Sequence, residues 1–481
     1  MVTPERWVLN PRPQYLSWFA AVTTKATESP GGSRSTASAS SVFGVGARAQ
    51  IVRCGQHYRE DGCLLRRRDS WTFPNVGLSS WRVGARPQQK GIALRIRLCC
   101  RSSTAVVAVG ALIAAMAACG STGSDRAGAA DAGRAEVVGA LDRLVEAGHV
   151  HGAQVVVTDH GRVWTATAGM GDIERGIPFP DDARVRIGSN TKTYVATVML
   201  QLVAEGKVEL DAPVERYLPG VVHGPGIDDD RITIRNLLQH TSGLPEFAAE
   251  FGETPKPGQI DIHTDQVRWG RGDLAEVLRN VLTAPADFEP GAKWAYSNTN
   301  YLVVAMVIEK ISGDSVGAEI TRRIIEPLGL RDTYYPDPDE TDIRGPHPAG
   351  YSEIGGERVD YTRQNVSWAG PAGAMVATGA DLNRFFSALL DGKLLPPAQL
   401  AEMKRTVPIG DSGSQLGYGL GLMHWRLPCG KDSWGHGGDI DGFETRGGVV
   451  NGRAVTVSVN QVPESSADVT KVVDAALCAA S

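Results

Sequence analysis

Hydrophobic positions change period along this chain. Between 136 and 148, Val137, Leu141, Leu144 and Val145 recur at helical spacing and predict an amphipathic helix. Two apolar runs follow, 153–158 and 163–168, around Asp159-His160-Gly161, which predicts a hairpin. Val195, Val198, Met199, Leu202 and Val203 predict a second helix, which Gly206 can end. A third apolar helix is expected over 301–311, after the turn Glu289-Pro290-Gly291-Ala292. Near the end, 447–450 and 454–459 flank Asn451-Gly452, the strongest short hairpin signal. Val469, Val472, Val473, Ala476 and Leu477 give a closing helix its apolar stripe. Strands at both ends of this patterned region, with helices outside them and mostly helical patterns between, predict an α+β fold.

The first part of the chain lacks such patterning. Residues 1–91, rich in Ser, Gly, Arg and Pro, read as a disordered extension or as sequence upstream of the true translation start. Within 92–119, Arg95, Arg97 and Arg101 precede the apolar run 104–118 and Cys119. A basic region, an apolar run and small residues form a secretory leader. Met116-Ala117-Ala118-Cys119 is similar to a bacterial lipobox, with Cys119 as the lipidated residue. An uncleaved membrane anchor is the alternative. Residues 120–134, rich in Gly, Ala, Ser and Asp, read as a flexible tether, and 135–481 as the folded domain. That domain is therefore expected outside the cytoplasmic membrane, held at its outer face or secreted.

With 481 residues the chain can bury a large core, and no internal repeat is visible. A net charge of −5 and the lack of a basic patch argue against nucleic acid as a partner. Of seven cysteines, only Cys429 and Cys478 lie beyond the leader. In an exported domain they make either one disulfide or two buried thiols. His149 and His151 have no acidic or cysteine neighbours in a metal-ligand pattern and read as surface residues, so no metal is expected.

The chemistry starts at Ser189-Asn190-Thr191-Lys192. At the opening of the predicted second helix, these two ends share one face of the first turn. An amine in a poorly solvated pocket can lose its proton and activate a hydroxyl. Tyr296-Ser297-Asn298 and His436-Gly437-Gly438 follow in the middle and late parts of the chain. Serine-lysine, then tyrosine-x-asparagine, then a basic residue with glycines resembles the penicillin-recognising serine enzymes, specifically the class C β-lactamase and D-alanyl-D-alanine carboxypeptidase family. Leu237 to Leu244, Trp368 to Gly373 and Tyr418 to Leu422 are similar to further segments of that family, in family order.

That resemblance implies a fold, an activity and a set of roles. The fold is an antiparallel sheet formed by both chain termini with flanking helices, beside an all-helical region, with the site at their junction. Ser189 is the nucleophile, and Lys192 and Tyr296 are the proton shuttle; which of the two takes the serine proton is open. Asn298 holds the substrate amide. Backbone N–H groups of Ser189 and Asp439 form the oxyanion hole. His436 hydrogen-bonds Tyr296 and helps protonate the leaving group, and Gly437 and Gly438 let the strand approach the substrate. Trp368 is core or pocket wall. Cys429 and Cys478 form a disulfide, and no cofactor is implied. Where relatives bind a terminal carboxylate, this chain has Met423, Gly437 and Asp439, with Arg446 on the next strand as a possible substitute cation. The expected activity is an exported serine hydrolase of carboxypeptidase type, acting on D-amino-acid peptides such as peptidoglycan stem peptides. The alternatives are an esterase, a D-amino-acid amidase or aminopeptidase, a β-lactamase, and a non-catalytic envelope binding protein.

Overall fold

The structure, a computed structural model, describes residues 121–249, 254–410 and 415–479. The extension, the leader and the lipidation candidate Cys119 fall outside the described residues.

The nine strands of the main sheet, numbered in chain order, are β1 (Gly152–Asp159), β2 (Arg162–Asp172), β3 (Ile177–Pro178), β4 (Val407–Pro408), β5 (Leu416–Tyr418), β6 (Met423–Arg426), β7 (Asp432–Ile440), β8 (Phe443–Val450) and β9 (Arg453–Val459). Their spatial order is β3-β2-β1-β9-β8-β7-β6-β5-β4, with every pairing antiparallel. Both ends of the folded region thus meet at the middle of the sheet, where Ala153 faces Val459 and Val157 faces Val455. The two predicted hairpins, β1–β2 and β8–β9, are present. Asn451 and Gly452 take φ of 48° and 84°, the left-handed pair that matches strand twist.

Five helices matter for the site: α1 (Ser121–Glu146), α2 (Thr191–Ala204), α3 (Thr299–Ser312), α4 (Gly379–Leu390) and α5 (Ala467–Cys478). One face of the sheet buries Val155, Val157, Val455 and Val457 with Val137 and Leu141 of α1 and Val469, Val472 and Val473 of α5. The other face meets α4, where Asn383 donates from Nδ2 to the Val156 carbonyl (2.9 Å) and accepts at Oδ1 from Thr456 (2.8 Å). Beyond α4 lies the larger core, in which α2 and α3 are buried on nearly all sides.

The stretch expected to be a tether is instead the start of α1, which begins at Ser121. Ala127, Ala129, Ala130 and Ala132 are strong helix formers, and they outweigh the Gly and Ser that made the segment read as a linker. Among the described residues no helix is long and apolar enough to cross a membrane. Cys429, in the β6–β7 connection, is joined to Cys478 at the end of α5, with a Cα–Cα distance of 5.9 Å. A closed loop of this size stabilises by about 4 kcal/mol in the chain-entropy account.

Candidate active site

Ser189 sits in a short 3-10 turn, Gly188–Asn190, directly ahead of α2. That turn is pressed against β7 so closely that two glycines are required. A Cβ on Gly188, whose φ is 48°, would lie 2.7 Å from the Asp439 nitrogen. A Cβ on Gly438 would lie 2.0 Å from the Ile187 carbonyl and 2.7 Å from the Ser189 nitrogen. The contact brings the backbones of Ser189 and Asp439, the two expected oxyanion donors, onto facing segments. Asn190 fixes the turn from behind through Nδ2, which donates to Thr445 Oγ1 (2.6 Å) and the Ile187 carbonyl (3.1 Å).

At the second position of α2, one turn on from Ser189, Lys192 is fully buried. Its Nζ lies 3.0 Å from Ser189 Oγ, 2.7 Å from Asn298 Oδ1 and 2.7 Å from the Ala372 carbonyl. Loss of hydration pushes the amine down to about 7, against the opposing pull of Glu246 and Asp439. The partners then determine its orientation. Asn298 Oδ1 and the Ala372 carbonyl only accept, so a neutral amine gives them its two hydrogens and turns its lone pair to the Ser189 hydroxyl. The Tyr296 ring is 4.8 Å and the Tyr301 ring 5.6 Å from the same nitrogen. Ser189 and Lys192 from one part of the chain and Tyr296 and Asn298 from another are therefore brought together.

His436 is placed differently from expectation. Its Nε2 lies 2.9 Å from the Tyr418 hydroxyl, so the expected Tyr296 bond is replaced by one to Tyr418, and Nδ1 lies 2.5 Å from the Gly437 carbonyl. A carbonyl only accepts, so Nδ1 carries the hydrogen and Nε2 accepts from Tyr418. The Tyr418 oxygen is also 3.2 Å from His240 Nε2, while His240 Nδ1 accepts from the Ser297 N–H (3.2 Å) and the Asn300 amide (3.1 Å). The result is a one-way chain of donors from His240 through Tyr418 to His436. Burial pushes His436 down to about 3 and His240 well below its usual range, while it drives Tyr418 well above. Burial thus disfavours the charged form of each. The Nδ1 hydrogen of His436 is held by the Gly437 carbonyl, and its Nε2 by Tyr418, so both ring nitrogens are engaged within the fold.

The carboxylate-reading positions are also resolved. Met423 is buried in the apolar core beneath the sheet. Gly437 makes room for Arg446: a Cβ there would lie 2.3 Å from the guanidinium. Arg446 is held internally, with Nε donating to Glu444 (2.6 Å) and Nη2 to both oxygens of Asp439 (3.0 Å each) and to Ser466 (2.7 Å). Burial pushes both carboxyls up, and Arg446 opposes that rise. The guanidinium is thus matched by two acidic groups. Beside this cluster opens a cavity of about 400 Å³ lined by Trp368, Asp439, Ile440, Asp441, Glu464 and Asp468 among others. None of its lining residues is Lys or Arg. Trp368 is both core and wall, being 8% exposed and facing this space. Asp439 is shared between the cavity wall and the contact with the nucleophile turn, where its backbone abuts Gly188. Among the described residues no group of three or more His, Cys, Asp or Glu is placed to hold a metal ion.

The Beta-lactamase family profile matches residues 137–477, more than half of the chain. The chain belongs to the beta-lactamase family. Two solved relatives share its fold over nearly their whole length. A D-stereospecific amidohydrolase from Streptomyces sp. is 37% identical, with 72% of this chain and 98% of that one aligned at a TM-score of 0.64. The D-amino acid amidase from Ochrobactrum anthropi SV3, solved with L-phenylalanine amide, is 28% identical over 72% of this chain and 98% of its own, at a TM-score of 0.61. Esterase EstB of Burkholderia gladioli is 35% identical over 196 residues, 40% of this chain and 49% of that protein. The chain spans about half the length of the curated relatives it matches.

Sequence reasoning assigned no role to Glu246 or Tyr418. Tyr418 lay within a segment that resembles the family. Glu246 had no signal beyond its place two residues after Leu244, where that earlier family segment ends.

Proposed function

We propose that this chain is a serine hydrolase that works through an acyl-enzyme and cleaves amides and esters without a free carboxylate on the leaving side, D-amino-acid amides foremost. One observation carries the chemistry: Lys192 Nζ, buried and fenced by two carbonyl acceptors, lies 3.0 Å from Ser189 Oγ. The amine takes the hydroxyl proton as Oγ attacks the carbonyl carbon. The N–H groups of Ser189 and Asp439 hold the oxyanion. The resulting ammonium gives its proton to the leaving amine or alkoxide as the scissile bond breaks, with the Tyr296 hydroxyl beside it as a relay. Water then attacks the ester through the same base, releasing the acid and restoring Ser189.

The carboxypeptidase expectation loses its support at Arg446, which Asp439 and Glu444 already neutralise. The cavity beside that cluster carries further carboxylates, with His149 and His263 as the basic groups of its lining. The amidase and amidohydrolase names of two solved relatives support the amide alternative. The test uses a matched pair, an acyl-D-alanyl-D-alanine and its C-terminal amide. A charge-assisted hydrogen bond is worth ~1.5–3 kcal/mol, so kcat/KM for the amide should exceed that for the acid by roughly tenfold or more. A strong preference for the acid overturns this specificity.

Export is the second part of the proposal, and the Cys429–Cys478 bridge supports it, since such bonds persist in oxidising compartments. Intact-mass analysis of the protein from membranes of a bacterial host should give a chain that starts at Cys119. Residues before 104 on the exported form count against it.

A further inference from the structure

Glu246 is a partly buried carboxylate that the acyl-transfer steps leave without a task. It follows the turn after Leu244 and faces the loop that carries Tyr296 and Asn298. Its Oε2 accepts from the backbone N–H of Asn298 (2.5 Å) and its Oε1 from that of Ala248 (2.8 Å). The side-chain amide of Asn298 also donates to it. Burial pushes this carboxyl up, and the donors around it, with Lys192, oppose that rise and favour its ionised form. The Asn298 side chain is thereby oriented. Its NH₂ is taken by Glu246, so its Oδ1 is the end left to face Lys192, and it does so at 2.7 Å. Were the amide turned over, two donors would oppose each other and the Lys192 lone pair would lose its direction.

We infer that Glu246 is a positioning residue of the acylation machinery, which fixes Asn298 against Lys192 and holds positive charge on that amine by its own negative charge. The inference rests on the acyl-enzyme reading of the same site. Glu246 is the larger of the two acidic influences on Lys192, ahead of Asp439. The remaining groups around the amine contribute no net charge: Ser189, the Ala372 carbonyl, the Tyr296 and Tyr301 rings, and the neutral His240 and His436. An opposite charge near an amine moves its titration upward, by about one unit or more when the two lie close. Glu246 thus offsets part of the desolvation of Lys192, and the amine changes form near neutral pH instead of far below it.

The test is the pH profile of kcat/KM on a neutral probe, p-nitrophenyl butyrate, for the full chain. The uncharged ester removes any direct charge effect on binding. E246Q keeps the size and one acceptor but loses the charge. Without that charge the ammonium is less favoured, so the limb that reports Lys192 should move about one pH unit downward. The maximal kcat should fall as well, because the Asn298 amide can now turn over. E246D keeps the charge one methylene further from the amine, and should move the limb the same way by less. Far-ultraviolet circular dichroism selects the variants that fold. A limb at the native position in whichever variant folds, even with reduced kcat, marks Glu246 as a merely structural group and overturns the inference. Failure of the underlying reading looks different, since the S189A chain would then still turn over the ester.

Discussion

Replacing Ser189 by alanine should lower turnover of any ester or amide substrate by at least ~10⁴-fold while leaving the fold unchanged. The hydroxyl is partly exposed, and its hydrogen-bond partner in the structure is Lys192, so little packing is lost. The decisive measurement is covalent. The native chain, quenched in acid during turnover of a slow ester, should gain one acyl mass on the peptide that carries Ser189. The S189A chain should gain none, and should resist a fluorophosphonate probe. Equal labelling of both chains would remove Ser189 from the mechanism; no labelling and no turnover by the native chain would return the non-catalytic binding reading.

Lys192→Met should cost about 10³-fold in kcat/KM, because the serine loses its base and the leaving group its proton source. The same change carries a stability signature with a definite sign. The amine titrates at about 7 in the folded chain and near ~10.5 when unfolded. Between those values the unfolded chain binds more protons, so this group makes the fold more stable as pH rises. Below that window the folded state bears the full cost of a buried ammonium. The methionine variant lacks the group altogether. The unfolding free energy of the native chain, minus that of K192M, should therefore grow between about pH 7 and about pH 9.5 in urea titrations. A difference that stays flat or falls places the amine in water and contradicts its burial.

What could be read from the sequence followed how local each signal was. The helix behind Ser189 and Lys192 announces itself by period and spacing within a dozen residues. The two glycine-bearing hairpin turns are equally local, because left-handed φ restricts the residues that fit. Tyr296, Asn298 and His436 carry no such signal alone, and became legible through their order along the chain. The partners of His436 were not legible. Tyr418 is 18 residues away and Tyr296 is 140, and only the packing of β5 beside the buried histidines decides between them. Glu246 meets Asn298 across 52 residues of sequence, and a lone glutamate has no pattern to find. Arg446 was readable as a cation near the site but not as one already bound by Asp439 and Glu444. The tether was misread because composition mixes strong helix formers with linker residues, and the alanines prevailed.

The junction at the middle of the sheet has a consequence for how the chain is made. Asn460 binds the backbone of Gly152 across 308 residues, and β9 is the strand that covers the inner edge of the β1–β2 hairpin. As the polypeptide leaves the ribosome, that hairpin is synthesised early, with one apolar edge unpaired, and it waits for almost the whole domain before its neighbour exists. Pairings this distant are slow to close and leave sticky edges open meanwhile. The helical region can condense early, but the groove that holds the nucleophile cannot, since β7 reaches it only with the last strands. Such a domain closes its active site only when its synthesis is nearly complete.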